Sequence, residues 1–247
     1  MIMDRDHSGT TEGEVMSKFD LPRRLVAEGL GTAMLVATVV GSGIMATSLT
    51  QDMGLALLGN TLATGAILVV MITILGPISG AHFNPAVSLI FAISRALPKR
   101  DFGRYVIAQI IGGVSGAVAA HLMFGLPIIE LSTKVRTGGA QWFSEGVATF
   151  GLVAVILSGI KFEQKAAVPW LVGLYITAAY WFTASTSFAN PAVALARSLT
   201  NTFSGIRPID LPGFCVAEVA GAVLALMLFT WLLQPSTSSP ISSEAKL

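Results

Sequence analysis

Asn84-Pro85-Ala86-Val87 and Asn190-Pro191-Ala192-Val193 are the same tetrapeptide, met once in each half of a 247-residue chain. Each lies in an apolar run, residues 81–93 and 189–199, that is too short to cross a bilayer, since crossing takes roughly 20 helical residues. Asparagine is a favoured N-cap and proline in the first turn costs a helix nothing, so both runs read as short helices starting at Asn84 and Asn190. Around them, apolar runs predict six spans at residues 23–48, 55–76, 102–124, 142–161, 167–188 and 212–234. The expected fold is an all-α membrane protein with six transmembrane helices plus two re-entrant half-helices that dip in without crossing.

Composition agrees with that reading. The chain is 53% apolar and 12% charged, against about 25% charged in globular proteins. Residues 105–129 and 166–196 contain no Asp, Glu, Lys or Arg at all. A net charge of +1 gives no reason to expect a nucleic-acid partner. Cys215 is the only cysteine, which excludes an intramolecular disulfide and reads as a small apolar helix residue. No Cys/His cluster has metal-ligand spacing, so neither a metal nor a cofactor is expected.

Charge also sets the expected topology. With the N-terminus inside, Arg5, Lys18, Arg23, Arg24, Arg95, Lys99, Arg100, Arg104, Lys161, Lys165 and Lys246 fall on the cytoplasmic side, 11 of the 15 basic residues. Lys134, Arg136, Arg197 and Arg207 fall outside. Trp142, Trp170 and Trp231 sit near span ends, as interfacial anchors in a lipid bilayer do. Residues 1–21 lack the apolar core of a signal peptide and read, like residues 235–247, as a disordered cytoplasmic tail flanking a membrane domain at 22–234.

The halves, about 22–125 and 140–234, repeat. Ala27-Glu28-Gly29-Leu30-Gly31-Thr32 answers Ser144-Glu145-Gly146-Val147-Ala148-Thr149, and Ala108-Gln109 with Gly112-Gly113 answers Ala217-Glu218 with Gly221-Ala222. Three crossings per half, an odd number, invert the second half relative to the first. The half-helices then enter from opposite faces and bring their electropositive N-termini together at mid-membrane. Backbone at that depth is tolerated only when buried in protein or lining water. The arrangement predicts a positive collar, with the Asn84 and Asn190 amides as donors into a lumen that repels cations and protons but accepts neutral solutes.

At this point Ser79-Gly80-Ala81-His82-Phe83-Asn84-Pro85-Ala86-Val87 and Phe188-Ala189-Asn190-Pro191-Ala192 resemble the paired signature loops of the aquaporin and glycerol-facilitator (major intrinsic protein) family. The resemblance covers residues 22–234. It implies a passive, non-enzymatic channel assembled as a homotetramer, in a bacterial inner (plasma) membrane. It also implies that Glu28 and Glu145 are scaffold carboxylates accepting hydrogen bonds from the backbone leading into each half-helix, the alternative being a direct role toward solute. Gln109 and Glu218 are similar supports by the same resemblance. His82 reads as pinning its loop and His121 as a packing or polar contact. Gly112, Gly113, Gly116, Ala117 and Ala120 would let helices approach closely, within or between subunits.

Relatives narrow at four positions, which counting from the signatures places at Thr64, Ala178, Ser187 and Val193. The family usually has arginine where this chain has Val193. The set here is small throughout, so the filter is expected to be wide, lacking arginine and bearing two hydroxyls. The solutes implied are water with glycerol-like polyols, urea or metalloid hydroxides such as arsenous acid, in the manner of bacterial aquaglyceroporin-like members. Arg197, four residues on, reads either as lying near the mouth or as a cation favouring the C-terminal end of its half-helix. Two rival readings are an ion-coupled secondary transporter, which also uses inverted repeats, and a strictly water-selective channel.

Overall fold

The structure, a computed structural model, describes residues 18–234. The tail expected at 1–21 lies outside the described residues up to residue 17, and that expected at 235–247 lies outside them entirely. The first half contains α1 (Leu21–Leu49), α2 (Met53–Ser79), α3 (Pro85–Ile93) and α4 (Lys99–Met123). The second contains α5 (Gly139–Lys161), α6 (Val168–Phe182), α7 (Pro191–Arg197) and α8 (Leu211–Leu232). We call the face where α1 begins proximal and the opposite face distal. Large apolar side chains such as Leu30, Ile111, Phe143, Leu174 and Met227 are exposed on the outside, where a bilayer supplies the apolar solvent.

The half-helices start where the Asn-Pro pairs direct. Asn84 Oδ1 accepts the Ala86 N–H at 2.9 Å, and Asn190 Oδ1 accepts those of Ala192 and Val193 at 3.0 and 3.3 Å. Both prolines occupy the first helical turn, where no N–H is missed. The local cap and proline chemistry therefore sets where each half-helix begins.

Helices α1 and α4 cross tightly, and α5 and α8 repeat the crossing. A Cβ added to Gly112 would stand 2.1 Å from the Gly29 carbonyl oxygen, and one on Gly221 would stand 2.1 Å from that of Gly146. Only glycine fits at either place, because the obstruction is backbone and cannot rotate away. Gly221→Ala is expected to push α8 off α5 at about 1–3 kcal/mol, the usual cost of overpacking. Thermal unfolding of the purified protein in detergent should show a lower midpoint; an unchanged midpoint would mean that the helices can slide apart freely.

The fifth span differs from expectation. Instead of running to 188, α6 ends at Phe182, and its 15 residues give about 22 Å of helix, less than the roughly 30 Å hydrocarbon thickness. The reason is the Thr183-Ala184-Ser185-Thr186-Ser187 stretch, whose hydroxyls compete for backbone partners. Thr183 Oγ1 bonds back to the Ala179 carbonyl, Ala184 N–H donates to Ser144 Oγ, and the Ala184 and Ser185 carbonyls accept from Gln141 and Arg136. Irregular backbone is tolerated here because protein surrounds it.

Candidate functional site

The two loops leading into α3 and α7 are built alike. Ala81 and Ser187, three residues before each asparagine, have φ of 51° and 49°, and Phe83 and Ala189, directly before it, have φ of 48° and 49°. Left-handed backbone on non-glycine residues costs roughly 1–3 kcal/mol each and persists only where its surroundings hold it. The holding groups are buried carboxylates. Glu28 accepts from Ser79 Oγ (2.6 Å), His82 N (3.0 Å), Phe83 N (2.7 Å) and Gln109 Nε2 (2.8 Å). Glu145 accepts from Phe188 N (2.9 Å) and Ala189 N (2.7 Å).

The supports diverge at one place. Gln109 donates to Glu28 and to Ser88 Oγ, whereas its counterpart Glu218 accepts the Asn190 N–H at 3.0 Å through Oε1 while Oε2 has no partner. His82 is half-buried against Phe91 and Tyr105, with Nδ1 3.0 Å from Ser88 Oγ. His121 joins two loops of the distal face. A carbonyl can only accept, so Nδ1 carries the proton toward Pro127 O, and Nε2 accepts from Thr200 Oγ1 at 2.7 Å.

The His82 and Phe188 N–H groups are drawn toward the glutamates, and the loop carbonyls of Gly80, Ala81, His82, Ser187 and Phe188 find no donor among the described residues. They are acceptors for whatever fills the cavity beside them. That cavity offers about 110 Å³ to the centres of water molecules, room for several, and passes from Ile160 and Val168 near the proximal face to Tyr180 and Arg197 near the distal one. Asn84 and Asn190 both line it. Their amides are also crossed: Asn84 Nδ2 donates to the Ala189 carbonyl at 2.6 Å and Asn190 Nδ2 to the Phe83 carbonyl at 2.8 Å. One N–H of each amide thus ties the halves together, a contact the sequence reading did not include, and one remains for the cavity.

Of the four narrow-zone residues expected from sequence, Thr64, Ser187 and Val193 line the cavity and Ala178 does not. Ala178 is exposed on the outside of α6. The helix presents Val172, Ile176 and Tyr180 inward at intervals of four, and a residue two positions from Tyr180 turns by about 200° onto the opposite side. Tyr180, which sequence reasoning passed over, sends its hydroxyl to Thr64 Oγ1 at 3.3 Å. Thr64 has already given its own proton to the Asn60 carbonyl at 2.8 Å, so it offers the cavity no donor. Of the two expected hydroxyls, only that of Ser187 has no hydrogen-bond partner among the described residues.

Cations gather at the distal end. Arg136 spans the loops there, with Nε on the Gly205 carbonyl and Nη1 on that of Ser185, both at 2.9 Å. Lys134 donates to the Phe203 carbonyl at 2.7 Å, and lost hydration, with Arg136 and Arg197 nearby, pushes its ammonium down to about 8. Arg197, unlike Lys134, is 2% exposed and lines the cavity.

Comparison with known proteins agrees with this architecture. The profile described as "Major intrinsic protein" matches residues 15–185. Aquaglyceroporin AqpS of Rhizobium meliloti is 72% identical over 221 residues, covering 90% of this chain and 94% of the relative. Aquaporin Z of Brucella melitensis is 28% identical over 225 residues, covering 85% and 97%. Among solved structures, the aquaglyceroporin from Plasmodium falciparum superposes with a TM-score of 0.66 over 87% of this chain and 96% of that one, at 21% identity, a likeness of fold. The chain belongs to the major intrinsic protein family and is an integral membrane protein that passes small solutes passively, without enzymatic chemistry.

Proposed function

We propose that this channel conducts small uncharged hydroxylated or amide-bearing solutes, namely glycerol-like polyols, urea and metalloid hydroxides, together with water. The observation that carries the reading is Val193: where the family usually sets arginine, the cavity wall is a short apolar side chain, 4% exposed. Thr64, Ser187 and Val193, with Tyr180 in place of Ala178, form the filter in this reading. Asn84 and Asn190 with Pro85, Ala86, Pro191 and Ala192 form the central station, where two half-helix N-termini disfavour cations. The similarity to an aquaglyceroporin from Rhizobium meliloti supports a wide solute range.

The basic-residue bias supports cytoplasmic termini in a bacterial inner membrane. The family supports a homotetramer with one pore in each subunit. An ion-coupled transporter has little to work with, because Glu28, Glu145 and Glu218 accept from the half-helix loops and none of the three lines the cavity. Stopped-flow measurements on proteoliposomes should show glycerol, urea and arsenous acid entering as well as water, with no dependence on an ion gradient and no counterflow. Water entry alone, or counterflow, would overturn the proposal.

A further inference from the structure

The guanidinium of Arg197 is nearly buried, yet among the described residues it has no carboxylate partner. Its Nε donates to the Ser204 carbonyl, and its face lies on the Phe188 ring with Cζ 3.3 Å from the ring centroid. Among the described residues no acceptor meets either terminal nitrogen, and Nη1 is an orphaned buried donor. Arginine carries five N–H donors, so most of its capacity is unspent. Leaving a buried cation without a counter-ion is costly. A favourable position at the end of α7 returns only a small part of that through the helix dipole. The dipole role expected from sequence therefore cannot account for the burial, and the side chain lines a cavity that can hold the missing acceptors.

Position sharpens the point. Arg197 lies one turn beyond Val193, about 6 Å along the axis. Helical side chains lean toward the N-terminus and cover the preceding turn, so the guanidinium leans back over the level of Val193. The short valine leaves room for it. Leu35, Val39, Leu68 and Ile176 make the remaining wall apolar.

We propose that Arg197 is the solute-binding cation of the distal constriction, donating to the carbonyl or hydroxyl oxygen of an uncharged solute while its carbon or metalloid body slides past Val193 and the apolar wall. This rests on the solute class proposed above. The backbone of Arg197 stands one helical turn from the usual position and its guanidinium is held by Phe188 and Ser204, so the constriction keeps a polar pole and gains width. Urea, with a strong carbonyl acceptor, is the solute that gains most.

Reconstituted full-length wild type, Arg197→Met and Arg197→Lys decide it, with water, glycerol and urea permeabilities read by stopped flow and thermal unfolding read alongside. Arg197→Met should lower urea and glycerol permeability by about tenfold, the worth of one charge-assisted hydrogen bond, with water changing less than about twofold. Arg197→Lys, which keeps one charge but loses the stacked fork, should fall between them, and it decides alone if the methionine variant does not fold. Unchanged urea-to-water ratios in the folded variants, or all three permeabilities falling in proportion, would overturn the role of Arg197. A wild type that passes neither urea nor glycerol would instead overturn the proposed solute class.

Discussion

Glu28→Leu is expected to abolish recovery of the folded channel. The carboxylate takes four donors, from Ser79, His82, Phe83 and Gln109, all in a site that water does not reach. Each buried donor left without an acceptor costs about 1–3 kcal/mol. Four of them cost roughly 4–12 kcal/mol, comparable with the 5–15 kcal/mol that separates folded from unfolded domains. The left-handed residues Ala81 and Phe83 would also lose the group that offsets their strain. Glu218→Gln should be harmless by contrast, because glutamine already fills the matching place at Gln109 and an amide oxygen can still accept from Asn190. Monodispersity and unfolding midpoint in detergent, then water flux, would check the pair. A Glu28→Leu channel with ordinary flux would show that something other than Glu28 holds the loop.

The contrast between those two positions shows which features the sequence carried. The half-helix starts were legible because N-cap and proline chemistry is local, and the duplicated Asn-Pro placed both. The role of the paired glutamates came with the family resemblance, since a carboxylate inside a span by itself reads as functional. What failed was counting at a fixed distance from Asn190. That count assumes an unbroken register between α6 and the second loop, but Thr183 to Ser187 fold into a turn with Thr186 and Ser187 left-handed. The register to Ala178 was therefore wrong, although the four-residue rhythm of Val172, Ile176 and Tyr180 was present and pointed inward. The reach of Arg197 stayed open for another reason: backbone rise fixes only its Cα, one turn beyond Val193, while the seat of its guanidinium on Phe188 and Ser204 is set by tertiary contacts. Residues 124–138, which bring Arg136 beneath the distal loops, have no periodicity to read, and only the three-dimensional path reveals their role.

Val193→Arg puts the width of the filter to a direct test. The substitution adds a long side chain to a buried cavity-lining position and sets a second guanidinium beside that of Arg197, with no carboxylate there to divide them. At about 4 Å separation and an effective dielectric near 20, two like charges repel by about 4 kcal/mol. One of the two must therefore swing away into the lumen, and either outcome narrows the path. Water needs only a single-file opening, whereas glycerol and metalloid hydroxides need the width that valine leaves. Their permeabilities should fall by about tenfold or more, equivalent to only 1.4 kcal/mol on the barrier, while water keeps most of its flux. Removing the competing charge in Val193→Arg/Arg197→Met relieves the repulsion but leaves the pore narrow, so water should recover further and the large solutes should not. Stopped-flow shrinkage of proteoliposomes with each solute measures this. Equal loss of water and glycerol, or no change in either, would mean that position 193 does not bound the filter.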